Sequence, residues 1–351
     1  MKNILLLLTL TVVLSPLQGI DLPAYAGDYR MITDMDDHQI EVPVNPKRIA
    51  CMHGVSSDRI VMLGKGDCLV LMIKPFPWAY RLYPELKNVE TAQPPFTADV
   101  ERLLNLKVDL VLYSPFPGEA EKYRAAGIKT ACGFSAQKRP RTMEQFMDNF
   151  KRQVRFFGDL LGPEAKVRAE KYCQYFDAKI QAILAITSKI GVEDRPTVYY
   201  GGRSGNLLFS QGKASVMHWF TEVSGGNFLP QAHDNNFTEV NLEQVCSWDP
   251  EIILISGYGS TLESVRNNPN WAPMRAVKNG RLHIIPTGVF TWDLASGESV
   301  LLAIYLAKIF HPDLFKEWDM IEEMKTFYSE VYGKTITTDD AERILNGLGP
   351  R

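Results

Sequence analysis

The sequence predicts an α/β protein with two Rossmann-like, three-layer α/β/α lobes joined by one long backbone helix. Three observations predict this fold class. Short apolar runs typical of buried strands alternate with amphipathic helical patterns, as in βαβ units with a mostly parallel sheet. A long helical pattern without an internal glycine begins at Pro163, near the middle of the chain. A pattern in the first half of the chain recurs in the second half at constant spacing.

Residues 1–26 are predicted to be a cleaved signal peptide. Lys2 precedes an apolar run over 4–14, and Ala24-Tyr25-Ala26 has the small-x-small pattern that signal peptidase recognises, with cleavage near Ala26. The apolar run is about half of the roughly 20 residues that a membrane-spanning helix needs. We therefore expect secretion into the periplasm without a permanent membrane anchor.

The composition is that of an ordinary globular protein, with 45% apolar residues, 23% charged residues and a formal charge of −3. A weakly acidic chain without a basic run is a poor nucleic-acid binder. The five cysteines are widely spaced and include no C-x-x-C pair, which argues against a structural zinc site. We expect Cys51 and Cys132, in strand-like runs, to be small buried side chains. No cofactor is expected, and we expect a monomer.

The N-terminal lobe is predicted to span 27–162. Thr142 and Gln145 have the spacing of a capping box that opens an amphipathic helix, and this helix ends near Gly162-Pro163. The predicted strands are Arg48–Met52, Leu69–Ile73, Leu110–Tyr113 and Lys129–Cys132, and the predicted helices include Ser57–Leu63, Asp99–Leu106 and Gly118–Ala126.

The backbone helix is predicted over 163–190, and a C-terminal lobe with C-terminal helices over 191–351. At 1.5 Å per residue the helix would be about 40 Å long, enough to join two lobes. An ordinary long surface helix is the alternative. The predicted strands of the second lobe are Thr197–Tyr200, Ile252–Ser256 and Leu282–Ile285, and its predicted helices are Ser215–Val223, Leu242–Ser247 and Gly297–Ile309.

The two halves share a helix-turn-strand pattern. Glu101 and Glu243 are 142 positions apart, as are Asp109 and Glu251, and apolar positions match on both sides of these residues without a gap. In each copy a short helix starts with a glutamate, and a turn then leads through an acidic residue into a buried strand. This match indicates duplicated lobes; chance similarity of two βα units is the alternative.

Together these features resemble the periplasmic binding proteins of ABC importers for iron-siderophore, haem and vitamin B12, whose lobes are joined by one long helix. The resemblance covers nearly the whole mature chain and includes the runs 45–49, 57–64 and 288–293. Two departures are Asp58, where the family commonly has glutamate, and Gly297, where relatives often carry proline. Both bear on the ligand subclass.

The resemblance implies a binding component that delivers a small molecule to the transmembrane permease of an ABC importer, with its ATPase, and that is not an enzyme. It also implies that Glu101 and Glu243, one on each lobe, dock on arginines of the permease. Two carboxylates held apart by rigid lobes can be recognised by spacing as well as by charge. The alternative is that each glutamate only stabilises the N-terminus of its helix.

The ligand is expected between the lobes, where loops follow the carboxyl ends of the strands. Aromatic rings, tyrosine hydroxyls and a few arginines in these loops suit a bulky, negatively charged chelate. Each aromatic side chain has loop packing as its alternative role. The candidate ligand-binding residues are His53, Trp78, Tyr80, Arg81, Tyr113, Phe116, Arg203, Tyr258, Trp292 and Asp293.

The identity of the ligand is less determined than its location. No cluster of histidines and carboxylates accompanies His53, so a metal that is already chelated, or an oxyanion, is favoured over a bare ion. A ferric siderophore is the leading prediction, and haem, cobalamin, a nickel chelate, molybdate and tungstate stay open. The glycine-rich 201–205 completes no phosphate-loop pattern, which argues against a nucleotide enzyme. A periplasmic carrier or chelatase-like protein is the alternative of another class.

Overall fold

The computed structural model describes residues 29–113, 116, 118–135 and 139–351. The predicted signal peptide and its cleavage position lie outside these residues, as do Ser114, Pro115 and Pro117, which follow the predicted strand Leu110–Tyr113. The described chain contains two parallel sheets, each in an α/β lobe, and this confirms the predicted fold class.

The N-terminal lobe has a five-stranded parallel sheet in the order β5-β4-β3-β6-β7, preceded by an antiparallel hairpin, β1-β2. Buried aliphatic residues form the central strands, as expected for a parallel sheet that is covered on both faces. The strands are β1 Tyr29–Thr33, β2 Gln39–Pro43, β3 Ile49–Cys51, β4 Leu69–Met72, β5 Glu90–Thr91, β6 Leu110–Tyr113 and β7 Thr130–Cys132. The helices are α1 Gly54–Met62, α2 Pro77–Leu82, α3 Val100–Asn105, α4 Glu119–Ala125 and α5 Met143–Leu161.

The backbone helix is α6, which spans Pro163–Thr187 and packs along α5. Gly162 separates the two helices, and Pro163 takes the first helical position. Proline is tolerated there because an N–H at this position would have no acceptor within the helix. At the start of α5 only half of the predicted capping box forms. The Gln145 N–H donates to the Thr142 hydroxyl (3.2 Å), whereas the Gln145 side-chain oxygen accepts from the Arg141 N–H (2.8 Å).

The C-terminal lobe has a four-stranded parallel sheet in the order β10-β8-β12-β13 and a separate antiparallel pair, β9-β11. Side chains of β8 and β12 alternate between two hydrophobic clusters, so this sheet is the middle of three layers. The strands are β8 Thr197–Gly201, β9 Phe209–Gln211, β10 Asn227–Phe228, β11 Phe237–Glu239, β12 Ile252–Ile255 and β13 Leu282–Ile284. The helices are α7 Val216–Val223, α8 Leu242–Trp248, α9 Leu262–Arg266, α10 Arg275–Lys278, α11 Ser299–Phe310, α12 Met320–Phe327 and α13 Thr338–Leu345, with a π-helical turn at Tyr328–Tyr332.

The repeated sequence pattern has the same structural role in both lobes. Before β6, the Asp109 carboxylate accepts the N–H groups of Lys47 (2.8 Å) and Arg48 (3.1 Å), just ahead of the neighbouring strand β3. Before β12, the Glu251 carboxylate accepts the N–H of Thr197 (2.8 Å) at the start of the neighbouring strand β8. The acidic residue therefore ties the start of its own strand to the start of the neighbouring parallel strand in each lobe.

Candidate functional site

A cavity of about 110 Å³ lies between the lobes. Its N-lobe wall comes from the segment after β7 and from α5, and its C-lobe wall comes from the loops before α7, β11 and α11. The position fits the general preference of α/β sheets for ligands beyond the carboxyl ends of strands. The lining residues are Met35, Phe134, Ser135, Arg139, Pro140, Phe146, Asn149, Phe150, Gln153, Ala214, Val216, Asn236 and Ala295.

Each polar side chain that lines this cavity can donate a hydrogen bond. They are the hydroxyl of Ser135, the guanidinium of Arg139 and the amides of Asn149, Gln153 and Asn236. No carboxylate is among the lining residues in the described chain. The cavity therefore carries positive charge and donors, a combination that suits an anion.

Arg139 connects the two walls of the cavity. Its Nη1 donates to the backbone carbonyl of Asp234 in the C-terminal lobe at 3.0 Å. On the opposite wall the Gln153 amide nitrogen donates to the Gly133 carbonyl at 3.0 Å, which fixes the start of the segment that carries Phe134. Both lobes thus contribute to one site.

The predicted cleft loops meet at the centre of the lobe interface, beside a much smaller space of about 20 Å³. Phe76 contacts the Tyr258 ring edgewise (5.8 Å between centroids) and the Phe290 ring (5.3 Å), so aromatic packing closes this part of the cleft. Gly54 permits the close approach, because a Cβ there would lie 2.6 Å from the Phe290 ring. Tyr258, a predicted ligand contact, is 44% exposed at this closed contact.

His53 lies directly behind one wall of the 110 Å³ cavity. Its ring stacks on Phe134 (4.8 Å between centroids), and its Nδ1 lies 3.2 Å from the Ser56 hydroxyl. Burial lowers the pKa of His53 to about 4, so the imidazole is neutral at neutral pH. In this conformation His53 supports the ring of Phe134 and does not line the cavity.

Two predicted ligand contacts, Trp78 and Trp292, belong to the hydrophobic core. Trp78 is 2% exposed, and its indole N–H donates to the Leu348 carbonyl at 2.9 Å. Trp292 is fully buried and packs edgewise on Tyr305. We therefore correct the prediction that these two rings face the ligand, since packing against the C-terminal lobe covers both.

Asp293 and Tyr113 are also buried structural residues. The Asp293 carboxylate accepts the hydroxyls of Tyr200 (2.6 Å) and Ser256 (2.9 Å), which ties β8 and β12 to the loop before α11. Tyr113 ends β6 and is 7% exposed; burial raises the pKa of its hydroxyl. Neither side chain is open to a ligand in this conformation, which corrects the prediction for both.

The other predicted contacts lie at the surface away from the 110 Å³ cavity. Phe116 is 55% exposed and packs edgewise on Phe96, whereas Arg203 lies over the Phe237 ring at 4.4 Å. Arg81 is exposed in the last turn of α2, and Tyr80 is partly buried against the core. None of these four side chains lines the cavity, so their contact with a ligand stays a prediction.

The two predicted docking glutamates occupy equivalent positions. Glu101 lies in the first turn of α3, whose N-terminus is capped by Asp99, and Glu243 lies in the first turn of α8, which is capped by Asn241. Both glutamates are exposed. Their side chains are therefore available to a partner, and each also lies where a negative charge favours a helix N-terminus.

The residues that line the cavity were not among those predicted from the sequence. One signal in the sequence could have identified some of them. The candidates predicted in the N-terminal lobe lie at or after the ends of β3, β4 and β6, whereas none comes from the segment after β7, which carries Phe134 and Arg139. The strand itself was predicted, so the rule on strand carboxyl ends extends to this loop. Gln153 on α5 and Asn236 before β11 carried no such signal, because only the packing of the two lobes brings them together.

The described residues contain no group of three or more histidine, cysteine or acidic side chains arranged to hold a metal ion. No helix within the described ranges has the length and apolar character needed to cross a bilayer. All five cysteines lie in the described part, and none forms a disulfide there.

Comparison with known proteins gives both a family and structural relatives. Residues 49–287 match the family model described as periplasmic binding protein. The molybdate-binding protein MolA of Haemophilus influenzae is 22% identical over 90% of this chain and 94% of its own length. Its molybdate-bound structure superposes with a TM-score of 0.78 at 20% identity, and the match covers 88% of this chain and 99% of that one.

Other solved structures share the fold at similarly low identity. A periplasmic solute-binding protein of Veillonella parvula has a TM-score of 0.72 at 22% identity, with 91% of this chain and 97% of that chain covered. CeuE of Helicobacter pylori, solved with nickel and histidine, has a TM-score of 0.69 at 18% identity, with 90% and 99% covered. The family match spans well over half of the sequence and confirms the resemblance predicted from the sequence. This chain therefore belongs to the periplasmic binding protein family.

Proposed function

We propose that this protein is the periplasmic solute-binding component of an ABC importer and that it captures a compact oxyanion, such as molybdate or tungstate, in the 110 Å³ cavity. After removal of the signal peptide near Ala26, the mature protein would act in the periplasm and deliver its ligand to the permease. The observation that carries the proposal is the cavity itself, which is small, lies between the lobes and has among its lining side chains one cation, neutral polar groups and apolar groups but no carboxylate in the described chain.

Size favours a compact ligand. Pockets for drug-sized molecules measure roughly 300–1,000 Å³, whereas this cavity measures about 110 Å³. A tetrahedral oxyanion has a volume of the order of a few water molecules, and such a cavity holds several waters. A ferric siderophore, haem or cobalamin would require a much wider separation of the lobes, so the siderophore predicted from the sequence is less well supported.

Charge supports the same choice. Arg139 supplies a guanidinium that pairs well with oxyanion oxygens, and the nearby hydroxyl and amide groups supply further donors. Apolar neighbours such as Phe134 and Phe150 exclude water and strengthen these interactions. The molybdate bound by MolA, a relative of similar length, agrees with this ligand class.

Delivery is proposed to depend on Glu101 and Glu243. Each is exposed in the first turn of a helix, at equivalent places in the two lobes. The resemblance seen in the sequence implies that one glutamate per lobe meets permease arginines, and the equivalent positions of Glu101 and Glu243 support this proposal. Rim charges of this kind affect the rate and orientation of association more than they affect the affinity of the complex.

The ligand proposal is tested by titrating the purified mature protein with sodium molybdate and sodium tungstate by calorimetry, with sulfate and a ferric hydroxamate for comparison. Arg139→Ala should weaken oxyanion binding by roughly tenfold or more, because a charge-assisted hydrogen bond is lost. Arg141→Ala is the matched control: Arg141 is exposed two residues away and does not line the cavity. Binding of the hydroxamate alone would refute the oxyanion, and equal effects of both substitutions would refute this site.

A further inference from the structure

Arg59 is a fully buried cation on α1, just behind the ligand cavity. Its guanidinium lies over the Phe150 ring at 4.9 Å from the centroid. Its Nη2 donates to the Ala295 carbonyl at 2.6 Å and lies 3.4 Å from the Gln153 side-chain oxygen. Phe150, Gln153 and Ala295 all line the cavity. One buried side chain thus contacts three parts of the cavity wall.

These contacts reach both lobes. Ala295 belongs to the loop before α11 in the C-terminal lobe, whereas Gln153 lies on α5. The oxygen of the Gln153 amide faces Arg59, so its nitrogen is directed to the Gly133 carbonyl (3.0 Å), immediately before Phe134 in the cavity wall. A chain of contacts therefore connects Arg59 to the segment after β7.

The charge on Arg59 has one ionic partner in the described chain. Its Nη1 lies 3.2 Å from the Asp58 carboxylate, which also accepts the Gly297 N–H (2.7 Å) and the Tyr332 hydroxyl (2.8 Å). The remaining contacts of Arg59 are neutral oxygens and rings. Burying such a group is costly unless its planar donors are well matched, and lysine cannot reproduce that fork.

We infer that Arg59 is a positioning residue for ligand binding: it holds the Gln153 amide and the Ala295 carbonyl in place, and thereby fixes opposite walls of the cavity. It does not touch the ligand. This inference rests on the proposed function for its effect on affinity, but its effect on the two wall segments does not depend on which ligand is bound.

The first experiment measures backbone hydrogen exchange in the ligand-free protein. Arg59→Lys keeps the charge but replaces the planar guanidinium with a single nitrogen, which cannot reproduce the geometry of the fork, so we expect exchange at least roughly tenfold faster in peptides that cover 130–135 and 294–297. Tyr332→Phe is the matched control, because it removes a different partner of Asp58 and touches no cavity residue. It should leave exchange at 130–135 unchanged. Equal acceleration there by both variants, or by neither, would overturn the inference.

The second experiment is a double-mutant cycle in the dissociation constant for molybdate, with Arg59→Lys, Gln153→Met and the double variant. If Arg59 acts through Gln153, each single substitution weakens binding by roughly tenfold, and the double variant is scarcely weaker than either one. Additive losses, or losses that follow the melting temperature across all variants including Tyr332→Phe, would mean that Arg59 only stabilises the fold. If the unmodified protein binds no molybdate, the ligand proposal fails and the exchange experiment decides the role of Arg59.

Discussion

At the scale of single residues, two buried carboxylates meet at the junction of the lobes. Asp58 accepts the Tyr332 hydroxyl and the Gly297 N–H, and Glu298 accepts the Tyr328 hydroxyl. Both carboxylates are almost completely removed from water. Burial raises the pKa of each, because the ionised form loses its hydration.

Glu298 should make the stability of the protein depend on pH. Burial, and secondarily the charge on Asp58, raises the pKa of Glu298 from 4.5 to about 8. Between these values the native carboxyl keeps its proton while the unfolded one is ionised, so the free energy of unfolding falls as pH rises, by at most about 1.4 kcal/mol per pH unit. Glu298→Gln stays neutral, and we expect this variant to lack that decline.

The measurement is urea unfolding of both proteins at several pH values between 5 and 9. Taking the difference between the two curves removes the contributions of other titrating groups. The control is Glu342→Gln, because Glu342 is exposed. This variant should show the same dependence of the free energy of unfolding on pH as the wild type. Parallel curves for the wild type and Glu298→Gln would show that Glu298 is ionised in the native protein.

At the scale of elements, the pair α5 and α6 forms the scaffold between the lobes. Phe150 on α5 stacks on Phe176 of α6, with 4.7 Å between ring centroids and 14° between planes. The chain reverses at Gly162, which has a φ of 101° and a ψ of −179°. Glycine adopts this backbone conformation readily, whereas any other residue would be strained in it. Pro163 then starts α6.

Gly162→Ala should therefore destabilise the protein through backbone strain alone. A Cβ at Gly162 would meet no atom within 4 Å, so steric overlap adds nothing. We expect a loss of about 1–3 kcal/mol in the free energy of unfolding, measured by urea denaturation. Gly66→Ala is the control, because its φ lies outside the left-handed region and its nearest neighbour would be 3.7 Å away. A neutral result at Gly162 would indicate that the α5–α6 connection relaxes freely.

At the scale of the whole molecule, direct bonds join the lobes in addition to α6. The C-terminal segment returns to the N-terminal lobe, where Tyr83 donates to the Tyr332 carbonyl (3.0 Å) and Trp78 donates to the Leu348 carbonyl. Arg59 bonds to the Ala295 carbonyl at the cavity. These ties hold the two lobes in a defined arrangement, and with them the spacing of any surface that both lobes contribute.

Charge reversal at both proposed docking glutamates should separate transport from ligand capture. With Glu101→Lys and Glu243→Lys combined, we expect uptake of labelled molybdate by cells to fall at least roughly tenfold, because under the proposed docking two lysines would face arginines of the permease. The dissociation constant of the purified protein should be unchanged, since neither residue lines the cavity. The glutamine variants should lose less uptake than the lysine variants.

The control for this experiment is Glu342→Lys, which makes the same charge change on α13. This variant should leave uptake intact if uptake depends on the positions of Glu101 and Glu243 and not on the net charge of the protein. Normal uptake by the doubly reversed protein would exclude docking through these residues. A melting temperature lowered in proportion to the loss of uptake would instead favour the alternative that the two glutamates only stabilise their helices.

Much of the fold could be predicted because its signals are local. Strand-like runs such as 110–113 were placed correctly, and α6 starts at the predicted Pro163. Short elements were missed: β5 and β10 have two residues each, too few for a period to be visible. The hairpin β1-β2 and the pair β9-β11 also lacked a turn signal strong enough to predict them.

The sequence by itself determined the two-lobed α/β class, the family and the equivalent positions of Glu101 and Glu243. Periodicity and helix caps depend on residues that are close in the chain, and a repeat at constant spacing can be recognised by comparing two segments of the sequence. Only the tertiary structure decided which side chains line the cavity between the lobes. Trp78 is covered by Leu348 and Trp292 by Tyr305, whereas Arg139 meets Asp234 across the cleft. Whether a loop residue lies in the core or lines a cavity depends on segments far away in the chain, and local patterns carry no information about those contacts.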